Sequence, residues 1–175
     1  VDPTRFFLAG DSAGAQIAAQ LAVAVSNPSY AAALGVSPAV EREQLRGLIL
    51  FCGIYDAEQI KHKGKFIGVI ETALWAYLGE RDFADDPRLA EFSIGRHLTP
   101  QFPPAFISVG NDDQLAPQSV MLADALRAQH VEVDALFFPA DRKPPLQHEY
   151  QFDLDEAASR EALERMVSFV ARLSK

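Results

Sequence analysis

The chain is poor in cysteine, in positive charge and in long apolar segments. Its one cysteine, Cys52, excludes an intrachain disulfide, and the apolar run 48–52 predicts that it is a buried small hydrophobe rather than a reactive thiol. Lys and Arg total 16 against 24 Asp and Glu, a formal charge of −8, so a nucleic-acid partner is not expected. No uncharged apolar run approaches the ~20 residues of a membrane-spanning helix, and a cytoplasmic location fits these absences.

What is present is the composition of an average globular domain. The 175 residues are 49% hydrophobic and 23% charged, which excludes a disordered tail, a collagen-like repeat and a disulfide scaffold. The length allows one domain with a substantial core. The chain begins with Val1 rather than methionine, and an apolar strand is predicted already at residue 6. We therefore expect it to be part of a longer polypeptide.

Short apolar runs alternate with segments of helical spacing. This alternation predicts an α/β fold with an open, mostly parallel sheet and helices on both faces. We expect Ile17 and Leu21 on the buried side of the first helix, and Asn27-Pro28-Ser29 at its end. The predicted strands are 6–9, 47–51, 105–109 and 131–138, and the predicted helices are 12–25, 119–129 and 156–173. The last helix is predicted to be amphipathic, with one apolar face made of Leu163, Met166, Val167 and Val170.

Residues 10–14, Gly-Asp-Ser-Ala-Gly, follow the first predicted strand and open the first predicted helix. A G-x-S-x-G sequence in this context predicts a tight, strained turn that presents its serine above the sheet. Gly10 and Gly14 are expected to remove side chains that would collide with the neighbouring strand and helix. Ser12 is then a candidate nucleophile, and the N–H of Ala13 is a candidate donor to an oxyanion. In the alternative, the turn is only a helix cap whose side chain accepts a backbone hydrogen bond.

A serine hydroxyl needs a base to take its proton, and the chain has four histidines. His62 lies between two lysines in a solvated basic patch, and His97 precedes the third strand, at the wrong end for catalysis. His130 ends a helix, where a capping role suffices. His148 follows the last strand, at the carboxyl edge where parallel sheets carry their active sites. It is therefore the candidate base.

The base needs a carboxylate to hold its tautomer. The third strand ends in residues 110–115, Gly-Asn-Asp-Asp-Gln-Leu, which supply Asp112 and Asp113. The residues alone do not separate these neighbours, since one of them is expected to cap the next helix. Asp56 is less favoured because it begins a long insertion, and Asp11 is expected to point away from the base. The resulting chain order Ser, Asp, His is that of α/β-hydrolases.

Three motifs together resemble those of the carboxylesterases of the hormone-sensitive-lipase-like family, which have the α/β-hydrolase fold. They are residues 10–14 (GDSAG), residues 109–115 (VGNDDQL, similar to a G-x-x-D-x-L acid motif) and residues 148–152 (HEYQF, similar to a histidine region). The resemblance places the acid at Asp113. It implies a serine hydrolase of esters with short to medium acyl chains, working without a metal or a cofactor.

The resemblance covers nearly all of this chain but only the C-terminal part of the family's length. The family's HGG loop, which supplies further oxyanion donors, and its first strands come before residues 10–14, here called the elbow, and are not in this chain. An N-terminal fragment of the same polypeptide is therefore an expected partner. The loop 141–147 departs from the family's shorter approach to the histidine. Family members often form dimers, which implies a homodimer through residues 133–138 and 156–173.

Residues 55–104 form a less regular stretch that we expect to contain a cap-like insertion. Its apolar side chains either form part of an acyl-binding cap or pack against the sheet; they are Phe66, Ile67, Ile70, Leu74, Trp75 and Tyr77. Two other functions stay open. The same triad serves amidases of the arylformamidase type, and a protein of the same fold can bind a small ligand without catalysis.

Overall fold

Four parallel strands form the centre of the molecule. In the computed structural model, which describes residues 2–59, 67–83 and 85–175, they are β1 Phe6–Asp11, β2 Leu45–Phe51, β3 Ala105–Val109 and β4 Val133–Phe137. Each strand pairs in parallel with the next along the chain, so the sheet order is β1-β2-β3-β4. The predicted α/β fold with a parallel sheet is confirmed, and all four strands end at the same edge.

Helices cover both faces of this sheet. One face packs against the first, second and fifth helices through Leu48, Leu50 and Ile107, and the other packs against the last helix through Phe106 and Phe169. The helices are α1 Ala13–Ser26, α2 Pro28–Ala33, α3 Ile67–Leu78, α4 Leu89–Phe92, α5 Ala116–Ala128 and α6 Ala157–Leu173, with short 3₁₀ turns at Arg42–Gln44, Ala57–Gln59, Ile94–His97 and Tyr150–Phe152. None of these helices combines the length and apolar character that a membrane span requires.

Helix α1 buries a different face from the one predicted. Ile17 and Leu21 are 53% and 42% exposed, so their assignment to the core was wrong. The buried face consists instead of small residues, which are Ala15, Ala18, Ala19, Ala22 and Val23. These small side chains let the helix lie close to β1 and β2, and this close packing places Ile17 and Leu21 on the opposite side.

The segment expected to end the first helix also begins a second one. The Asn27 side chain accepts a hydrogen bond from the Tyr30 N–H at 3.2 Å, and Pro28 occupies the first turn of α2. Both residues are helix-starting signals, because Asn is a preferred N-cap and Pro tolerates the first helical position. Reading them only as a stop was therefore wrong.

Helix α6 also departs in part from its predicted face. Met166 and Val170 pack partly against the core, but Leu163 and Val167 are 42% and 55% exposed. The face of the helix that is buried against the sheet contains Phe169, Ala158 and Ala162. The predicted apolar face was therefore rotated relative to the one that the sheet buries.

The insertion between β2 and β3 has a small core of its own. Its buried residues pack together separately from the two faces of the sheet; they are Ala57, Leu74, Leu78, Phe83 and Leu89. Ile70 and Phe92 pack partly against them. The role of this insertion as a cap stays a prediction, and Phe66, which was assigned to it, lies outside the described residues.

Candidate active site

Ser12 occupies a strained turn between β1 and α1. Its φ is 50° and its ψ is −119°, a backbone conformation that non-glycine residues rarely adopt and that is often found at functional sites. Its N–H donates a hydrogen bond to the Phe51 carbonyl at 2.9 Å. The turn is thereby tied to the neighbouring strand, and the serine is held at the carboxyl edge of the sheet.

The two glycines of this turn are not equivalent. A Cβ at Gly10 would lie 2.3 Å from the carbonyl carbon and oxygen of Gly14, so the tight turn requires glycine there. A Cβ at Gly14 would meet no atom within 4 Å. The prediction that both glycines prevent a collision was therefore right for Gly10 and wrong for Gly14, which faces outward.

Ser12, His148 and Asp113 lie in one hydrogen-bonded row. Ser12 Oγ is 3.1 Å from His148 Nε2, and His148 Nδ1 is 2.7 Å from Asp113 Oδ2. The Asp113 side chain is fully buried, whereas that of His148 retains 16% exposure. The other Asp113 oxygen, Oδ1, accepts the Leu115 N–H at 2.8 Å. One carboxylate thus faces the imidazole and also satisfies a backbone donor beside α5.

The other candidate acids are occupied elsewhere. Asp112 is exposed and accepts a hydrogen bond from the Gln147 amide at 2.5 Å. Asp56 accepts hydrogen bonds from the Ser93 hydroxyl at 2.8 Å and the Glu58 N–H at 3.0 Å. Asp11 lines a separate cavity on the α6 side of the sheet. The N-cap of α5 is Leu115, without a side-chain capping hydrogen bond, so the expectation that one of the two neighbouring aspartates caps this helix was wrong.

The two other histidines in the described part of the chain make their contacts outside this row. His97 Nε2 is 2.9 Å from the Ala90 carbonyl, and its ring lies 4.4 Å from that of Tyr30. His130 is exposed beyond the end of α5 with a φ of 60°, a left-handed conformation typical of helix termini. His62 lies outside the described residues.

Cys52 is close to the row, which the sequence did not reveal. It is 1% exposed, as predicted for a small buried residue. However, its Sγ, a His148 ring nitrogen and an Asp113 oxygen all lie within 4.8 Å of one another. The local reason is that Cys52 directly follows β2, at the same edge as the elbow. The apolar run that precedes it gave no signal of this neighbourhood.

The environment favours the charged form of the imidazole. Hydrogen bonding to Asp113 and, second, to Cys52 raises the pKa of His148 from an ordinary value of 6.5 to about 10, against the opposing effect of burial. Stabilising the imidazolium is the task of the acid in a serine triad. The direction of the shift is that expected for an imidazolium stabilised by Asp113, whereas the form that can accept the Ser12 proton is the neutral imidazole, the main form only above that pKa.

Cys52, Asp113 and His148 also form a group with potential metal-ligand atoms. Two ligands of a tetrahedral zinc ion, at about 2.0–2.1 Å each, lie ~3.3 Å apart. The 2.7 Å between His148 Nδ1 and Asp113 Oδ2 is shorter than that and fits a charge-assisted N–H···O hydrogen bond. The donor set is better explained as a hydrogen-bonded pair with a neighbouring thiol than as a metal site.

Beside Ser12 lies a small apolar cavity of about 140 Å³. Its walls come from the N-terminus of α1, the segment after β2 and the insertion; its apolar residues include Ala13, Ile54, Ile70, Leu74, Tyr77 and Phe92. Ala13 is the first residue of α1, so its N–H is one of those without a partner inside the helix. Trp75 instead lines another cavity, where Arg81 stacks on its ring at 4.2 Å.

Solved structures of several esterases resemble this chain. Esterase B from Lactobacillus rhamnosis superposes with a TM-score of 0.78 at 23% identity, over 99% of this chain and 54% of that one. An esterase from Pyrobaculum calidifontis gives 0.66 at 19%, over 99% and 54%, and a bifunctional acetyl ester-xyloside hydrolase from Caldicellulosiruptor lactoaceticus gives 0.71 at 19%, over 99% and 58%. The chain thus spans about half the length of these proteins.

No curated protein sequence matches the chain significantly. A family model described as alpha/beta hydrolase fold matches residues 1–142. The matched segment contains Ser12 and Asp113 and ends shortly before His148. On the strength of this match, and of the parallel sheet with its elbow, the chain belongs to the alpha/beta hydrolase fold family.

Proposed function

We propose that this chain carries the catalytic residues of a serine carboxylesterase. The observation that supports this best is the hydrogen-bonded row in which Ser12 Oγ lies 3.1 Å from His148 Nε2 and His148 Nδ1 lies 2.7 Å from Asp113 Oδ2. The row stands at the carboxyl edge of a parallel sheet, where this class of fold performs its chemistry. A protein that only binds a ligand has no need of all three groups.

In the proposed reaction, Ser12 Oγ attacks the ester carbonyl while its proton passes to His148 Nε2. The resulting oxyanion receives a hydrogen bond from the Ala13 N–H. Collapse of the tetrahedral intermediate breaks the bond to the alcohol, which leaves with the proton from Nε2. Water then attacks the acyl-enzyme by the same route and releases the carboxylic acid. Asp113 stays ionised throughout and stabilises the imidazolium.

The Ala13 N–H is one oxyanion donor, and we propose that a further polypeptide segment supplies the others. The outer edge of β1 has no pairing strand among the described residues. Beside it is an apolar groove of about 400 Å³, here called the β1 groove; its lining includes Ala9, Ile49, Phe51, Phe152, Leu154, Leu163 and Met166. Gln151, which also lines it, has buried amide atoms without a hydrogen-bond partner. A strand and a helix from an N-terminal segment would cover these features.

The cavity beside Ser12 favours short to medium acyl chains. Its volume of about 140 Å³ is close to the ~150 Å³ that accommodates one benzene, or about six carbon atoms. Its lining is mainly apolar, so a charged acyl group would lose its hydration there without replacement. Esterase B from Lactobacillus rhamnosis, a structural neighbour at 21% identity, has been solved inhibited by a C4-C4 tributyrin phosphonate, which is consistent with a short acyl group.

The proposal is tested by labelling with a fluorophosphonate probe and by turnover of p-nitrophenyl esters with two to twelve acyl carbons. We expect one adduct, its loss in Ser12→Ala, and the highest kcat/KM at or below six carbons. Faster hydrolysis of matched anilides than of esters would replace the proposal with an amidase. Absence of both labelling and turnover, in the presence of the N-terminal segment, would indicate a binding protein.

A homodimer through residues 133–138 and 156–173, and a cytoplasmic location, belong to the same proposal. The exposed Val167 of α6 is an apolar side chain that such a contact would cover. Light scattering of the protein, compared with that of Val167→Glu, measures the dimer directly. A monomeric mass for the unmodified protein would remove it from the proposal.

A further inference from the structure

The turn after β3 lies directly against the loop that leads to His148. A Cβ at Gly110 would lie 2.3 Å from the Leu146 carbonyl oxygen and 2.5 Å from that of Gln147. The two backbones are therefore in contact, and only glycine allows this approach. The Asp112 N–H donates a hydrogen bond to the Leu146 carbonyl at 2.9 Å. The segment that carries Asp113 thus also supports the segment that carries the base.

Asn111 joins these two segments through its side chain. Its Oδ1 accepts the Leu146 N–H at 2.9 Å. Its Nδ2 donates to the Arg142 carbonyl at 3.3 Å and to the Ala140 carbonyl at 3.4 Å. One amide side chain therefore contacts the loop at three points between residues 140 and 146.

This loop has few backbone N–H groups that could donate hydrogen bonds to fix its own conformation. Pro139, Pro144 and Pro145 lie within seven consecutive residues, 139–145, and a proline has no N–H to donate. Beyond the loop, His148 must keep Nε2 at 3.1 Å from Ser12 and Nδ1 at 2.7 Å from Asp113. Since a misplacement of about 1 Å costs about a hundredfold in rate, the position of the loop bears directly on catalysis.

We propose that Asn111 is a positioning residue for the base. It fixes residues 140–146, here called the His148 loop, against the turn that holds Asp113, and so fixes the position of His148 relative to Asp113. The acid and the base then share one support, so the hydrogen bond between them does not depend on the proline-rich loop alone. This inference rests on the proposed function only for its kinetic consequence. Its structural consequence, an ordered His148–Asp113 hydrogen bond, is measurable without turnover.

The test compares Asn111→Ala and Asn111→Asp with a matched control, Asn27→Ala. Asn27 has the same chemistry: its amide accepts the Tyr30 N–H at 3.2 Å and donates to the His97 carbonyl at 3.0 Å. It stands at the far end of α1 from Ser12, ~21 Å away along 14 residues. Asn111→Asp keeps the acceptor for Leu146 but places a carboxylate oxygen against two carbonyls.

We expect Asn111→Ala to lower kcat/KM about 10- to 100-fold through kcat, with KM nearly unchanged. Asn111→Asp should fall at least as far, and Asn27→Ala should lose stability without a change in kcat. In proton NMR, the downfield resonance of the His148 Nδ1–H should be present in the unmodified protein and in Asn27→Ala, and broadened or lost in Asn111→Ala.

Two results would overturn this role. One is an NMR resonance that Asn111→Ala retains, or that the unmodified protein lacks. The other is a fall in kcat/KM that Asn27→Ala shares to the same extent. A failure of the proposed function reads differently: the unmodified protein would hydrolyse no ester while the resonance still depended on Asn111.

Discussion

On the β3 side of the site, the acid and the base are enclosed by contacts made within this chain. Asp113 is buried, the His148 loop rests on Gly110 and Asn111, and Tyr150 lies over Ser108. On the β1 side, Ser12 stands above a strand whose outer edge is unpaired among the described residues. The adjacent β1 groove exposes Phe152 at 68% and Leu154 at 51%. The acid and the base that transfer the proton are therefore held by contacts within this chain, whereas the surface next to Ser12 on the β1 side is exposed.

This difference indicates that the two sides of the site have different tasks. The parts that set proton affinities need short, directional hydrogen bonds, and these come from neighbouring turns of one sheet edge. The parts that stabilise an oxyanion and exclude water need surface on the other side of Ser12.

Asp113→Asn is expected to have the largest effect on the β3 side. It keeps the shape of the side chain but removes the charge that stabilises the imidazolium, so kcat should fall by roughly 10⁴. The pKa of His148 should drop from about 10 toward its ordinary 6.5, which moves the acid limb of the kcat/KM profile to lower pH, because the neutral imidazole is the form that accepts the Ser12 proton. A profile that keeps its position would contradict the assignment of Asp113.

The same carboxylate links stability to pH. Because the folded state raises the pKa of His148 above 6.5, the folded protein binds the proton more tightly than the unfolded chain does. This contribution to the free energy of unfolding is fully present below pH 6.5 and is lost as pH rises toward about 10. Urea unfolding at several pH values should show this loss in the unmodified protein and little of it in Asp113→Asn.

On the β1 side, the two glycines of the elbow offer a matched pair. Gly10→Ala places a methyl group 2.3 Å from the Gly14 carbonyl, and we expect a loss of about 3 kcal/mol or more in stability. Gly14→Ala meets no atom within 4 Å and lies in a helix, where alanine is favoured by roughly 0.5–1 kcal/mol. Thermal unfolding measures both, and equal effects would contradict the geometry of the elbow.

Tyr150→Phe should have a moderate effect on the β3 side. The Ser108 hydroxyl donates to the Leu136 carbonyl at 2.8 Å, so the Tyr150 hydroxyl, 2.6 Å away, donates to Ser108. Its removal leaves a buried acceptor unpaired and should lower stability by about 1–2 kcal/mol. Ser159→Ala, which removes a 2.7 Å hydrogen bond to the Tyr150 carbonyl, serves as the comparison. Unchanged unfolding midpoints in both variants would show that the hydrogen bonds of Tyr150 to Ser108 and Ser159 do not contribute to stability.

Cys52→Ser is expected to have the smallest effect. Cys52 is the second cause, after Asp113, of the raised pKa of His148, so its replacement should move the acid limb of kcat/KM to lower pH by less than Asp113→Asn does. The substitution keeps the size of the side chain nearly constant, and kcat at its plateau should be retained. A shift as large as that of Asp113→Asn would mean that the thiol is the main neighbour of the base.

The sequence alone determined the parts of this protein that depend on local patterns. Alternating apolar runs and helical spacing predicted the parallel sheet with helices on both faces, and the elbow motif placed Ser12 between a strand and a helix. The position of His148 after the last strand followed from the rule that parallel strands end at one edge. Whether these residues catalyse stays a prediction until the labelling experiment is made.

The neighbours that surround these residues became visible only in the folded protein. Spacing identified α1 as a helix, yet the close fit of alanines on the sheet turned Ile17 outward. An apolar run identified Cys52 as buried, yet only the arrangement of the strand ends brought it beside His148. Hydrogen bonds between Asn111 and residues 140, 142 and 146 join segments about thirty positions apart. Such contacts leave no periodic trace, because they depend on how separate elements pack and not on the order of residues within each one.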